Sequence, residues 1–364
     1  MKEKKACKAT VCRKTSIGGQ ALMEGIMMRG PERSAMAVRR PNGGIFFEEE
    51  PNVKKKRPAI CRWPLVRGVF GFIDSMRLGY KYLMRSAEIF CEEEEQNTEE
   101  SAETVSENAA VTSDAAVSAK GEEAPAQKAP QSAFGKATMT AIMVIATVLG
   151  VVLAFGLVFW LPAFIYQLLA DHVLPESVAA NRLVRSVFEG LFKIAILVAY
   201  MALVSLMKDI RRTFMYHGAE HKTIFCYEDD MPLTVENVKK QRRFHPRCGT
   251  SFLILMLLVS IFIGWFIPVQ FGSLTGLPNT LVRAAVKILL IPVMMGIGYE
   301  LLKLAGKYDN ILTRIISAPG MWLQRITVRE PDDGMIECAI MAFVAVMPEA
   351  DKEKYLTPVK EENE

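Results

Sequence analysis

Two histidines and a glutamate occur together in the stretch Tyr216-His217-Gly218-Ala219-Glu220-His221-Lys222, which reads H-x-x-E-H. On a helix, positions i, i+3 and i+4 share a face. His217, Glu220 and His221 would therefore converge. Two imidazoles in that arrangement can hold a zinc-like ion, and the carboxylate can take a proton from a water beside it. The pattern is the inverted zinc-protease motif. The chain has only four histidines, and three of them (His217, His221 and His245) lie in one short polar interval. A second cluster follows at His245-Pro246-Arg247-Cys248-Gly249. A helical hairpin would bring the two clusters together, with His245 or Cys248 as third ligand and one position left open, as catalytic zinc requires. A cysteine ligand also favours zinc over magnesium. A second reading stays open, in which Arg211, Arg212, Lys222 and Glu220 form an interfacial ion-pair network and the histidines bond to neighbouring loops.

Other polar residues are candidates for the same site. Gln20, Glu24 and Arg29 lie in a glycine-rich stretch that either lines the site or serves as a packing motif. Arg247 sits inside the second cluster. Glu300, near the end of an apolar segment, is an orienter, a ligand, or the partner of Lys303, the last being favoured. Cys226 reads as a buried thiol and Glu228, Asp229 and Asp230 as a solvated turn. Cys7 and Cys12 lie in a tail expected to be disordered.

The elements that position these groups follow from hydropathy. Of 364 residues, 51% are hydrophobic and 23% charged, a balance that fits a membrane protein with large polar parts. Four segments are long enough to span a bilayer: 137–169, 187–207, 251–271 and 281–304. The first is interrupted by Pro162 and the fold expected is all-helical around these four spans. Between the second and third, residues 208–250 hold nine lysines and arginines, while the other two connections carry few. The positive-inside rule then places this loop, the H-x-x-E-H segment and both termini in the cytoplasm. No secretory signal is visible, and the seven irregularly spaced cysteines argue against a disulfide framework.

Outside the spans, residues 1–14 read as a basic tail and 15–90 as a cytoplasmic or interfacial domain. Pro41-Asn42-Gly43-Gly44 predicts a β-hairpin. Residues 62–90 read as a basic amphipathic helix, lying either in the membrane interface or against a small core. Residues 91–133 carry a net charge of −9, leaving +13 on the rest of the chain, and are expected to be a disordered acidic linker. After the last span, residues 305–348 read as interfacial helices, the first broken at Pro319-Gly320, and 349–364 as a tail. Thr234 is expected to cap a helix over 235–244. The run Lys239 to Arg243 is expected to face anionic lipid headgroups. Without an aromatic platform it does not suggest nucleic acid.

Taken together, these motifs resemble the YqhQ-like family of bacterial membrane proteins, described as predicted metal-dependent enzymes. The resemblance is carried by Gly18-Gly19-Gln20-Ala21, Met23-Glu24-Gly25, Met27-Met28-Arg29-Gly30-Pro31, Pro64-Leu65-Val66-Arg67-Gly68, the H-x-x-E-H segment, His245 to Ser251, Tyr299-Glu300-Leu301-Leu302 and Ala318-Pro319-Gly320. It implies a multi-pass protein of the bacterial inner (plasma) membrane and no particular substrate. The reading that results is a metal-dependent, zinc-like hydrolase at the cytoplasmic membrane surface, with Glu220 as general base and His217, His221, His245 and Cys248 as ligand candidates. The alternative is a non-enzymatic membrane scaffold or assembly factor with a structural histidine or metal cluster.

Overall fold

The structure is a computed structural model that describes residues 15–53, 58–110, 133–274, 276–308 and 310–356. Strands β1 (Gly18–Leu22), β2 (Gly25–Arg29), β3 (Arg33–Arg39) and β4 (Ile45–Pro51) form an antiparallel sheet in sequential order. Helices follow: α1 (Val66–Ala110), α2 (Ala133–Phe155), α3 (Leu161–His172), α4 (Glu176–Ala179), α5 (Arg182–Val204), α6 (Lys208–Glu228), α7 (Val235–Lys239), α8 (Gly249–Phe266), α9 (Gly276–Leu289), α10 (Ile291–Lys307), α11 (Ile311–Thr327), α12 (Asp333–Val346) and α13 (Glu349–Leu356). The chain divides into two compact units. One comprises Met1–Glu94, Ile194–Ile263 and Leu289–Glu364; the other comprises Glu95–Lys193 and Gly264–Ile288.

The first unit is built on the sheet. The expected hairpin over Pro41 to Gly44 is present as the β3–β4 turn. The glycine-rich stretch before it, for which no strands were expected, supplies two further strands joined at Met23-Glu24. Alternation decides the packing. Ile26, Met28, Ala35 and Ala37 are buried with Tyr216, Ala219 and Tyr227 of α6 and with Met335, Ala339 and Phe343 of α12. Met27, Met36 and Val38 form a second buried cluster with Tyr82 and Ile89 of α1. With both faces covered, β2 and β3 read as apolar runs, which is why the sequence hides their strand period. Helix α12, expected to be interfacial, is instead a central core helix. Its Met335, Ile336, Cys338, Ala339, Ala342 and Phe343 are all nearly inaccessible, because a small-residue helix can lie close against the sheet.

Among the described residues, three helical stretches are long and apolar enough to cross a membrane: Val144–His172, Arg182–Val204 and Gly249–Phe266. The bent pair α9 and α10 makes a fourth if counted as one span. The fourth expected span is therefore broken, at Leu290 just ahead of Pro292, whose missing N–H and ring disfavour a continuous helix. Pro162 acts differently. A π-helical turn, Gly156–Trp160, precedes it, and helix continues to His172. Pro319 also fails to break its helix, and α11 runs through it with Gly320 packed against Ser251. α1 continues past Cys91 to Ala110, beyond the expected start of the linker, since glutamate and alanine are good helix formers. Residues 111–132 and the 1–14 tail, with Cys7 and Cys12, lie outside the described residues. α7 is shorter than expected, although Thr234 caps it, its hydroxyl accepting from Asn237 N–H at 3.3 Å.

In the second unit, Glu189 accepts from Arg185 Nε at 2.9 Å and pairs with Lys287 and with Arg283. The residues that the sequence offers for pairing between the second and fourth spans are Glu189, Lys193, Arg283 and Lys287; Arg185 joins them, and Lys193 Nζ stands over the Phe159 ring, 5.2 Å from its centroid.

Candidate metal centre

α6 carries the H-x-x-E-H segment into the core of the first unit. Ala219 packs toward the sheet and Gly218 lies so close to the 328–331 segment that a Cβ there would sit 2.0 Å from the Arg329 carbonyl oxygen. This contact fixes the rotation of α6 and turns the histidines toward the segment before α8. His217 Nε2 lies 3.0 Å from Cys248 Sγ. His217, His221 and Cys248 offer ligand atoms that all lie within 4.8 Å of one another. They are the one such group among the described residues.

The far nitrogens of both rings are held by backbone. His217 Nδ1–H donates to Thr327 O at 3.0 Å, and His221 Nδ1–H donates to Arg243 O at 2.6 Å. Such bonds orient both rings and leave Nε2, once deprotonated, as the ligand atom, the usual outer support of a metal-ligating histidine. His221 Nε2 is buried without a hydrogen-bond partner. A buried, orphaned imidazole nitrogen is costly unless something binds it. Burial works against a charged His217, but the neighbouring Cys248 sulfur outweighs it and raises the imidazole pKa to about 9. Burial also works against a charged Cys248, yet His217 and His221 hold the thiol well below its ordinary value. The donor set, two imidazoles and a ready thiolate, suits zinc.

Glu220 is buried beside these groups. Its pKa is raised, first by burial, with His217 and His221 opposing. Gly19 N–H of β1 donates to its Oε1 at 3.0 Å. Glu220, His221 and Cys248 face one cavity of about 250 Å³, completed by Ser16, Ile17 and Gly19. The glycine-rich motif thus does reach the site, through Gly18 and Gly19. Gln20 and Arg29 line a neighbouring cavity of about 370 Å³ with those glycines. Glu24 forms a bidentate ion pair with Arg212.

His245 stands next to the cluster, its ring centroid 5.5 Å from that of His221. Its Nδ1 accepts from Arg247 N–H at 3.3 Å and its Nε2 lies 3.8 Å from Glu228. Gln324 grips its backbone on both sides, accepting from His245 N–H at 2.8 Å and donating to its carbonyl at 2.7 Å. Arg247 pairs with Glu228 and donates to Thr15 O at 2.8 Å, tying the start of the sheet domain to the site. Glu228 is buried at the end of α6, where a solvated turn was expected. The signal was present in the sequence: 217, 221, 224 and 228 lie on one helical stripe. Cys226 is a buried thiol as expected, with its pKa pushed up to about 12 by burial.

Glu300 pairs with Arg67 of α1, not Lys303, in a bidentate contact with one bond at 2.6 Å. Gly68 lets α1 approach Tyr299 at the same place. Both partners are about one-third exposed or less. Glu300→Gln should lower the melting temperature only slightly, with metal content unchanged.

The family model described as "Protein of unknown function (DUF1385)" matches residues 63–349. The chain is 32% identical over 329 residues to "Uncharacterized protein YqhQ" of Bacillus subtilis (strain 168), covering 90% of each chain. No solved structure matches. The sheet, the helices around it and the His/Cys cluster described above are thus features of a chain that belongs to the DUF1385, YqhQ-like family.

Proposed function

We propose that the protein is a membrane-embedded, metal-dependent hydrolase whose site opens at the cytoplasmic membrane surface. The observation that carries this reading is the convergence of His217, His221 and Cys248, two of which, His221 and Cys248, line a cavity together with the buried Glu220. His217, His221 and Cys248 hold the ion, and His245 buttresses the site through Glu228 and Arg247. A zinc-like ion supplies Lewis-acid stabilisation of developing negative charge and acidifies water. Glu220, with its carboxyl raised by burial, accepts the proton of the attacking water and passes it to the leaving group. Gly19 N–H holds that carboxylate in place. Membrane insertion is supported by three to four apolar helices. The basic 208–250 segment supports a cytoplasmic orientation.

Glu220→Gln tests the assignment. The variant should keep its metal and lose turnover by on the order of 10²–10⁴, measured as product release from a bacterial membrane-lipid extract by mass spectrometry. Turnover retained by the variant rejects Glu220 as the base. Wild-type protein that takes up no zinc when purified from zinc-replete cells rejects the whole reading.

A further inference from the structure

A second cavity adjoins the candidate centre. It measures about 390 Å³, and His245 and Arg247 line both. Its other walls bring Arg242, Arg314, Tyr308 and Ser317 to one space. Among the described residues, Arg242, Arg247 and Arg314 line the cavity with one carboxylate, Glu228, which pairs with Arg247. Arg247 is laid across the end of α10, where a Cβ on Gly306 would meet its side chain at 2.9 Å. Arg242 Cζ stands over the Phe225 ring, 4.2 Å from the centroid. Its neighbours in the basic run are drawn elsewhere: Lys239 to Asp333 at 2.7 Å and Arg243 to Glu330 at 3.3 Å. Within that run, the lining of this cavity falls to Arg242.

Guanidinium forks match phosphate oxygens, so the cavity is suited to a phosphate group. The flank of the cavity says what carries that phosphate. α11 supplies Thr313, Arg314 and Ser317 to the lining. The same helix leaves Ile311 at 79%, Leu312 at 57%, Ile315 at 64% and Trp322 at 52% exposure. Arg314 lies between Leu312 and Ile315 along this exposed strip. A soluble phosphate ester gains nothing from such a ridge. A phospholipid buries acyl chains against it, and tryptophan at its edge suits the headgroup level. Arg247 and His245 line both cavities, so a headgroup seated here lies one side chain away from the cavity that holds Glu220 and Cys248.

We infer that the arginine-lined cavity between α10, α11 and the 242–247 segment seats the headgroup of an anionic glycerophospholipid, with its acyl chains along the exposed face of α11. That this lipid is the substrate rests on the hydrolase reading above; that it binds does not.

The test is lipid retention by full-length protein in detergent, read by native mass spectrometry. Equal amounts of phosphatidylglycerol and phosphatidylcholine are offered. Wild type should retain phosphatidylglycerol in preference by about tenfold: both lipids carry the phosphate, but the arginines repel the choline ammonium of the second. Arg242→Gln with Arg314→Gln should reduce the preference to less than about threefold, with an unchanged melting temperature because both side chains are at the surface. Lys240→Gln, in the same basic run but outside the cavity lining, should leave it intact. Equal retention of the two lipids by wild type overturns the inference, as does an unchanged preference in the double variant. Displacement of the lipid by an equal concentration of glycerol 3-phosphate overturns the assignment to a lipid. Zinc content, measured on the same samples, separates the two proposals. Lipid preference without zinc removes the hydrolase reading and leaves the headgroup site; zinc without lipid preference does the reverse.

Discussion

Replacing His217 with alanine should strip the ion from the protein and abolish turnover. Elemental analysis of full-length protein from zinc-replete cells should fall from about one zinc per chain to less than about one-tenth, since loss of a ligand costs more than the 10–100-fold typical of outer-shell changes. Cys248→Ser should do the same, because a serine hydroxyl stays protonated where the thiol does not. The protonation of the pair gives a second reading of the same site. With the imidazole raised to about 9 beside a thiolate, the metal-free pair at neutral pH is His217 protonated and Cys248 ionised. Metal requires His217 neutral, so loading should release about one proton per ion at pH 7. As pH rises through about 9 the imidazole is already neutral and the release should vanish. On acidification the ligands hold their protons and the ion should be lost. Calorimetric titration in two buffers of different ionisation enthalpy measures this. Zinc retained at wild-type level by both variants would remove these residues from the centre.

Gly218→Ala should be among the most damaging single-methyl changes in the chain. The added Cβ would sit 2.0 Å from Arg329 O, a backbone atom that cannot swing away. Arg329 N–H donates to Phe214 O at 2.9 Å, so the clash falls on a segment bonded to α6 itself. Overpacking that forces backbone to move costs about 1–3 kcal/mol, and this clash should lie at the upper end of that range. The same movement carries the Thr327 carbonyl away from His217 Nδ1, so zinc should be lost along with stability. Gly18→Ala is the contrast, because nothing lies within 4 Å of a Cβ there. It should stay within about 0.5 kcal/mol of wild type. A melting temperature for Gly218→Ala equal to that of Gly18→Ala would refute the packing account.

Much of the site was legible because a helix repeats. H-x-x-E-H on a Pro-free helix puts His217 and His221 on one face without any knowledge of the fold. Glu228 lies on the same stripe and was missed because two aspartates follow it, which made a solvated turn the simpler reading. The charge cluster around Glu189 was legible for a related reason: ionised groups amid apolar helices need partners, and few were available. The sheet was partly hidden. β3 and β4 announce themselves by Asn42-Gly43, whereas β1 and β2 are short, rich in glycine and methionine, and covered on both faces.

The motifs that seemed separate along the chain meet in pairs. Gly68 meets Tyr299, and Arg67 meets Glu300. Gly320 meets Ser251, Gly218 meets Arg329, and Gly19 meets Glu220. In each pair a glycine lets backbone approach, or a charge finds its counter-charge, and in four of the five the partners are more than a hundred residues apart.

The sequence by itself determined which groups are available for chemistry: the histidine pair, the carboxylate between them, a cysteine, and the apolar helices that surround them. Local periodicity is enough for that, because residues three and four apart on a helix are neighbours whatever else the chain does. Tertiary structure decided the rest. It chose Cys248 over His245 as the group nearest His217, since Gln324, Glu228 and Arg247 hold His245 aside. It also gave Glu300 to Arg67, moved α12 from a presumed surface into the core, and laid β1 over Glu220. Those choices depend on which faces pack together, and packing of distant segments is set by the shapes of both surfaces, which no single stretch of sequence contains.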